Sequence, residues 1–136
     1  MEIDKITLKN GSATVLIVED RPMNLMLLEV MLNRLNHKAI CASNGLDAME
    51  LLEKTPVDLV ISDIYMPEMG GFALMEKIRS KSGYAHIPVI LMTDGGNDVL
   101  SGIANSKGAD GFLGLPFSTS ELKQLIDQLI VPQKLA

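Results

Sequence analysis

The sequence predicts an α/β domain in which one parallel sheet is covered by helices on both faces. Short apolar segments alternate along the chain with longer segments whose apolar residues recur every three or four positions. The apolar segments end in acidic, polar or proline residues, and 136 residues correspond to about one domain. Repeated alternation of strand and helix, joined by right-handed crossovers, is typical of a doubly wound sheet.

The five predicted strands are apolar runs without polar alternation, as expected of parallel strands that are buried on both faces. They lie at residues 15–18, 39–42, 59–61, 89–92 and 111–114. The second strand contains Cys41, which is expected to be buried as a small apolar side chain. Pro116 follows the fifth strand and ends it.

The five predicted helices are segments in which apolar residues recur at helical spacing. They lie at residues 23–35, 45–55, 72–78, 97–106 and 119–129. The first helix is expected to face the core with an apolar stripe formed by Met23, Met26, Leu27, Val30, Met31 and Leu35. Ser118 and Glu121 have the spacing of a capping box at the start of the last helix. Gly95, Gly96 and Gly102 predict a short or pliable fourth helix.

Composition excludes several classes of protein. The 17 acidic residues outnumber the 12 basic ones, and the net charge of −5 argues against a basic face for nucleic acid. One cysteine excludes an intramolecular disulfide framework, and no segment approaches the roughly 20 apolar residues of a membrane span. Residues 1–10 lack the apolar region of a signal peptide. We therefore expect a cytoplasmic protein that binds neither nucleic acid nor a membrane directly.

Polar residues follow three of the predicted strands at the points where those strands end. Glu19 and Asp20 follow the first strand, Asp63 follows the third, and Thr93 and Asp94 follow the fourth. Each alone is more simply a cap or turn residue. The carboxyl ends of parallel strands meet at one edge, however, and carboxylates brought together there need raised pKa values or a hard cation. Because Mg²⁺ prefers oxygen ligands, the sequence predicts a Mg²⁺ site.

In these segments the sequence resembles the receiver domains of two-component response regulators. The resemblance rests on residues 15–20, residues 58–72, Thr93, and residues 108–113 leading to Pro116 and Phe117. It implies a flavodoxin-like (βα)5 fold with strand order 2-1-3-4-5. It also implies a receiver domain at 14–130, an N-terminal flank at 1–13 and a C-terminal tail at 131–136.

The resemblance implies a function and a set of site residues. Asp63 would accept a phosphoryl group from a histidine kinase or a histidine phosphotransfer protein, with Mg²⁺ as cofactor. Asp20 and Asp63 would contact the metal directly, Glu19 would act through water, and the backbone carbonyl of Tyr65 would complete the protein ligands. The domain would be a signalling module and not a conventional enzyme.

The resemblance also implies how the signal leaves the site. Thr93 would be the switch hydroxyl that moves toward the phosphoryl group, and Phe112 would be the switch aromatic that fills the vacated space. Further partners would be an output domain or a second receiver in a dimer.

Two positions depart from the pattern of the family. Receiver domains carry a lysine just before the proline that follows the fifth strand, and this chain has Leu115 there. Asp94 follows the switch threonine, where a small neutral residue is usual, and is expected to repel an incoming phosphoryl donor. Two hypotheses stay open: Asp63 still accepts phosphate, or the domain is a degenerate pseudo-receiver that binds proteins independently of phosphorylation.

Two alternatives from other functional classes fit the residues less well. Phosphohydrolases with an aspartate nucleophile place a second Asp two residues after the first, whereas Pro22 stands two residues after Asp20. A flavin-binding protein would need a Ser/Thr-rich phosphate cradle after the first strand, and the chain has none there. The isolated His37 and His86 are expected at the surface or in turns.

Overall fold

The computed structural model describes residues 6–8, 11–94 and 98–132. The strands are β1 Ile6–Leu8, β2 Thr14–Val18, β3 Lys38–Ala42, β4 Leu59–Asp63, β5 Val89–Asp94, β6 Gly111–Leu115 and β7 Ile130–Pro132. The helices are α1 Pro22–Arg34, α2 Gly45–Lys54, α3 Gly71–Ser80, α4 Asp98–Ser106 and α5 Thr119–Leu129. Within these ranges, no helix has both the length and the apolar character needed to cross a membrane.

The central sheet has five parallel strands in the order β3-β2-β4-β5-β6. Counted along those five strands, this is the predicted order 2-1-3-4-5, which is thereby confirmed. β2 pairs with both β3 and β4, so the strand order reverses beside β2 and opens a crevice at the carboxyl ends of β2 and β4. The order also places β4 between β2 and β5, which determines the arrangement of the site.

The core consists of two clusters, one on each face of the sheet. Alternation along β2 sends Val15 and Ile17 to one face and Leu16 and Val18 to the other. α1 and α5 cover the first face, and α2, α3 and α4 cover the second. All five residues of β4 are buried, as expected for a parallel strand covered on both sides.

The predicted core face of α1 is largely wrong. Met23 is 82% exposed and Met26 is 64% exposed, and Leu27 and Val30 are also exposed. The buried residues of the helix are Leu28, Met31 and Leu32. Eight of the 13 residues of α1 are Met, Leu or Val, so more than one helix face fits an apolar stripe. The contacts with the sheet select the face, and an apolar surface stays exposed on the other side.

The expected burial of Cys41 is also wrong, because its side chain is exposed. Cys41 lies in β3, which is an edge strand of the central sheet and is only partly covered. The segment does form the predicted strand, but an apolar run does not show whether its strand lies at the centre or the edge.

Two short strands were not predicted. β1 pairs in parallel with β7, with Ile6 opposite Ile130 and Leu8 opposite Pro132. These strands fall in or next to the predicted flanks at 1–13 and 131–136, so parts of both flanks contact each other. The boundaries of the receiver domain at 14 and 130 stay a prediction.

The ends of α4 and α5 show how local sequence sets helix limits. Ser118 Oγ accepts from the backbone N–H of Glu121 at 3.0 Å, and Glu121 Oε1 accepts from the backbone N–H of Ser118 at 3.1 Å. The predicted capping box is confirmed. α4 has nine residues, one fewer than α2 and α3, and its pliability stays a prediction. Gly95 and Gly96 lie outside the described residues.

His37 lies at the opposite end of the sheet from the predicted site. Its Nδ1 accepts a hydrogen bond from the backbone N–H of Ala13 at 2.9 Å, which requires the unprotonated nitrogen. Partial burial lowers the pKa of His37, and the nearby charges of Asp127 and Asp58 oppose this effect while that of Lys123 adds to it. The side chain therefore has a structural role that its isolation in the sequence does not indicate.

Candidate functional site

The predicted acidic residues meet at the carboxyl edge of the sheet. Glu19 and Asp20 follow β2, and Asp63 is the last residue of β4. Each of the three offers a carboxylate oxygen, and these atoms lie within 4.8 Å of one another. The pairing of Val18 with Ser62 places the ends of the two strands at the same level. The structure thus brings together residues that are more than 40 positions apart.

Glu19 is the most enclosed of the three, with its side chain fully buried. Its Oε2 accepts from the backbone N–H of Arg21 at 3.0 Å, and its Oε1 accepts from Asn24 Nδ2 at 3.1 Å. Burial raises the pKa of Glu19 to about 7, the two hydrogen bonds oppose this shift, and the charge of Asp63 adds to it. Sequence reasoning missed Asn24, whose place three residues beyond Arg21 in the first turn of α1 lets it reach back to Glu19.

Asp63 is nearly buried, with 8% exposure. Its Oδ1 accepts from the backbone N–H of Tyr65 at 3.3 Å, which orients the carboxylate. Burial is the main cause that raises the pKa of Asp63, and the charge of exposed Asp20 raises it further. The predicted roles of the Tyr65 carbonyl as a metal ligand and of Glu19 acting through water stay predictions.

The loop after β4 holds Asp63 in place through two glycines. The backbone N–H of Gly71 donates to the carbonyl oxygen of Ile64 at 2.9 Å, which ties the start of α3 to the end of β4. A Cβ on Gly71 would collide with the carbonyl oxygen of Asp63, and a Cβ on Gly70 would lie 2.6 Å from that of Ile64. Only glycine permits this close approach of backbone to backbone.

The three carboxylates fit a hard divalent cation. Their donor atoms are all oxygens, two of the side chains are buried, and their mutual repulsion is relieved by positive charge. Burial raises the pKa values of Glu19 and Asp63, and the charge of a neighbouring carboxylate raises each of them further. The chemistry of this donor set therefore fits the predicted Mg²⁺, and the binding of Mg²⁺ itself stays a prediction.

The predicted switch residues lie on the two strands beyond Asp63. Thr93 is buried near the end of β5 and pairs in register with Gly114 of β6. Phe112 is partly buried and packs against the core cluster under α3 and α4. Phe112 pairs in register with Leu91, which precedes Thr93 by two residues in β5. The roles of Thr93 and Phe112 in switching stay predictions.

Leu115, at the position of the missing lysine, takes part in the core. It is half-buried and packs against the cluster on the α1 and α5 face of the sheet. Its register partner across β5 and β6 is Asp94. An apolar side chain therefore lies next to Asp94 in register, at the position where the resemblance predicts a lysine.

Asp94 has a charged partner in the structure, and its expected repulsion of a phosphoryl donor stays a prediction. The guanidinium of Arg21 forms an ion pair and a hydrogen bond with Asp94 Oδ2. Arg21 lies in the loop between β2 and α1, directly after the acid pair. Its charge offsets that of Asp94, so Asp94 is not a bare acid at the mouth of the site. The sequence signal that was missed is this basic residue beside Asp20.

Fold and site together define a flavodoxin-like α/β domain with an acidic site at its topological switch point. The sequence matches the response regulator receiver domain family over residues 15–127, and the chain belongs to that family. It is accordingly a two-component signalling domain and not a conventional enzyme.

Similar proteins of known sequence or structure agree with this assignment. Sensor histidine kinase TmoS of Ectopseudomonas mendocina is 34% identical over 116 residues, which are 85% of this chain and 12% of TmoS. The chain spans only a small part of the curated sensor kinases that it matches.

Two solved structures show the same fold. The chemotaxis protein CheY4 of Vibrio cholerae has a TM-score of 0.80 and 26% identity, covering 88% of this chain and 99% of that one. The receiver domain of sensor histidine kinase PA1611 from Pseudomonas aeruginosa PAO1 has a TM-score of 0.76 and 24% identity, covering 88% of this chain and 98% of that one. That structure holds a magnesium ion in its active site cleft.

Proposed function

We propose that this domain is a phosphorylation-dependent receiver in which Asp63 takes a phosphoryl group from a histidine kinase or a histidine phosphotransfer protein. The observation that carries the proposal is the nearly buried Asp63 carboxylate, grouped with those of Glu19 and Asp20 within 4.8 Å. This grouping supports the roles of Asp63 as nucleophile and of the three carboxylates as a cation-binding set. Relatives that are sensor histidine kinases support a partner of that chemistry.

The proposed reaction moves one phosphoryl group between two proteins. A carboxylate oxygen of Asp63 forms a bond to phosphorus while the bond from phosphorus to the donor's imidazole nitrogen breaks, and the imidazole leaves with the electron pair of that bond. The product on this chain is an acyl phosphate. The hydrogen bond from Tyr65 N–H holds the carboxylate in one orientation during the approach.

Glu19, Asp20, Asp63 and the carbonyl of Tyr65 would hold Mg²⁺. When bound, Mg²⁺ supplies positive charge that offsets the negative charge spread over the phosphoryl oxygens. The hydrogen bonds from Arg21 N–H and Asn24 Nδ2 fix the buried carboxylate of Glu19 for this purpose. The magnesium ion in the PA1611 receiver supports the assignment at the level of the shared fold.

The signal would leave through Thr93 and Phe112. An acyl phosphate adds close to two negative charges beside the buried Thr93 hydroxyl, which can donate a hydrogen bond to it. Movement of Thr93 would open space toward the cluster where Phe112 is only partly buried. Phosphorylation would thus bias two arrangements of the surface formed by α4 and β6.

We place the donor protein over the start of α1, because α1 begins two residues after Asp20. The exposed apolar face of α1, defined by Met23, Met26, Leu27 and Val30, borders that approach. A stripe of this kind is unusual on a solvated helix and fits the apolar side of a helical partner. We assign it to the phosphohistidine protein that delivers the phosphoryl group.

A second candidate function is a pseudo-receiver that binds its partner whether or not Asp63 is phosphorylated. The observation that favours it is Leu115, which fills the lysine position with an apolar side chain packed on the core. A leucine cannot make the charge-assisted contact to phosphoryl oxygens that a lysine makes. In that case partner binding would depend on exposed surface alone.

The test is intact mass measurement after incubation with acetyl phosphate and Mg²⁺, and separately with a phosphorylated histidine kinase. We expect a mass gain of one phosphoryl group in the wild-type domain and none in Asp63→Asn. Absence of the gain with both donors would reject the first function. Partner binding that is identical in wild type and Asp63→Asn, with or without donor, would establish the second.

A further inference from the structure

We propose that Arg21 supplies the cation that Leu115 removes, by exchanging its partner Asp94 for the phosphoryl group on Asp63. This inference rests on the proposed phosphorylation of Asp63. It assigns Arg21 as a catalytic residue that touches the reacting group, and Asp94 as the residue that positions Arg21 beforehand.

The ion pair spans the site because of the strand order. Arg21 follows β2, Asp94 ends β5, and β4 with Asp63 lies between those two strands. Neighbouring strands are about 4.8 Å apart, so the pair bridges two strand spacings, about 10 Å, across the end of β4. Asp94 is two residues beyond Met92, the register partner of Asp63, so Asp94 and Asp63 face the same side of the sheet.

The charges at this edge are coupled to one another. The hydrogen bond and charge of Asp94 raise the pKa of Arg21, and the charges of Glu19 and Asp63 raise it further. The negative charge of Asp63 therefore acts on the guanidinium of Arg21 while that group is paired with Asp94. The backbone N–H of Arg21 donates a hydrogen bond to Glu19 Oε2, and this bond holds the backbone of Arg21 at the site.

The exposure of the ion pair allows Arg21 to exchange Asp94 for another acceptor. The side chains of Arg21 and Asp94 are 62% and 54% exposed, and exposed ion pairs contribute little to stability. A phosphoryl group offers close to two negative charges and several oxygens that match the planar fork of a guanidinium. Arg21 keeps its proton and changes only its acceptor, so no covalent bond of the arginine forms or breaks.

The other ion pairs within the described ranges lie elsewhere. Of the remaining two ion pairs there, Arg79 binds Asp110, which precedes β6, and Lys123 binds Asp127 within α5. Leu115 faces Asp94 in register and packs on the core, so that position holds no charge. Of the three ion pairs in the described ranges, that of Arg21 with Asp94 is thus the one that spans the end of the strand carrying Asp63.

The test compares the rates at which variants are phosphorylated by acetyl phosphate at saturating Mg²⁺, followed by intact mass. We expect Arg21→Gln to lower the rate about 10- to 100-fold, the range for loss of one charge-assisted hydrogen bond. Arg21→Lys and the double variant Arg21→Gln with Leu115→Lys should both recover much of the rate. Asp94→Asn should be at least as fast as the wild type. Lys123→Gln, which breaks a comparably exposed ion pair, is the matched control and should not change the rate.

Each other result contradicts the assignment of Arg21. An Arg21→Gln rate equal to that of the wild type would overturn it, and so would an equal loss in Lys123→Gln. If neither Arg21→Lys nor Leu115→Lys restored the rate, or if Asp94→Asn lowered it equally, the ion pair of Arg21 with Asp94 would have a structural role and not a catalytic one. Thermal melting of every variant separates these results from unfolding. If the wild-type domain takes up no phosphoryl group from any donor, the proposed function itself fails, and that outcome is distinct from all of these.

Discussion

Gly71→Ala tests how closely the start of α3 must approach the strand end that carries Asp63. A Cβ at this position would lie 3.0 Å from Ile64 Cα and 3.1 Å from the carbonyl carbon of Asp63, and it would collide with the Asp63 carbonyl oxygen. Carbon atoms normally approach to about 3.5–4.0 Å. All of these obstacles are backbone atoms, so no side-chain rotation relieves them and β4 must separate from α3.

We expect Gly71→Ala to lower the free energy of unfolding by about 2 kcal/mol, the middle of the range for overpacking a buried site. For 136 residues the entropy of unfolding is about 0.29 kcal/mol/K, so the melting temperature should fall by about 7 °C. Urea denaturation measures the first quantity and thermal melting the second. Phosphorylation by acetyl phosphate should also slow, because the shift displaces the carboxylate of Asp63 from Glu19 and Asp20.

The matched control is Gly83→Ala, where an added Cβ meets nothing within 4 Å. We expect its stability to stay within about 0.5 kcal/mol of the wild type. Equal urea midpoints for Gly71→Ala and the wild type would refute the reasoning. They would mean that the backbone around Gly71 can accept a Cβ without loss of stability. A loss in Gly83→Ala as large as that in Gly71→Ala would show a general effect of replacing glycine.

Three further predictions concern metal binding, pH and partner contact. Mg²⁺ at 100 times its dissociation constant should stabilise the wild type by about 2.7 kcal/mol and Asp63→Asn much less, as measured by thermal melting; equal shifts in both would contradict the acidic site. The folded-state pKa of His37 is lowered, so its contribution to stability is complete above about pH 6.5 and decreases as pH falls. In urea titrations at several pH values, His37→Asn should remove this dependence of the free energy of unfolding on pH. If only His86→Asn removed it, the contact of His37 with Ala13 would be excluded as its cause. Met26→Glu should slow phosphoryl transfer from a phosphohistidine protein about tenfold but leave transfer from acetyl phosphate unchanged. The control is Val99→Glu at an exposed position of α4, which should change neither rate. If Met26→Glu slowed transfer from both donors, the result would count against a docking role for α1.

Sequence predicted the fold best where burial on both faces leaves a plain signal. β2, β4 and β5 are central strands, and their apolar runs have no alternative amphipathic interpretation. The face of α1 could not be predicted in this way, because apolar residues surround most of the helix. Its buried face depends on where the helix axis lies over the sheet. The burial of Cys41 depended likewise on whether β3 is an edge strand.

The site was predictable only in part. The three acids follow strand ends, and parallel strands bring their carboxyl ends to one edge, so the grouping of Glu19, Asp20 and Asp63 follows from local sequence and strand direction. The ion pair of Arg21 with Asp94 does not, because 73 positions separate them. Their pairing requires the order of the strands and a side chain long enough to cross β4.

The loss of a lysine at position 115 does not decide between a working receiver and a pseudo-receiver. Leucine at that position removes one cation and adds apolar contact, but Arg21, on the opposite side of β4, carries another cation, and its ion pair with Asp94 spans the end of β4. Both hypotheses therefore share the same resting arrangement, in which Asp94 holds Arg21. They differ in whether a phosphoryl group on Asp63 attracts the guanidinium more strongly than Asp94 does. Since an exposed carboxylate is a weak competitor for an arginine beside a doubly charged group, the balance of charge favours the working receiver.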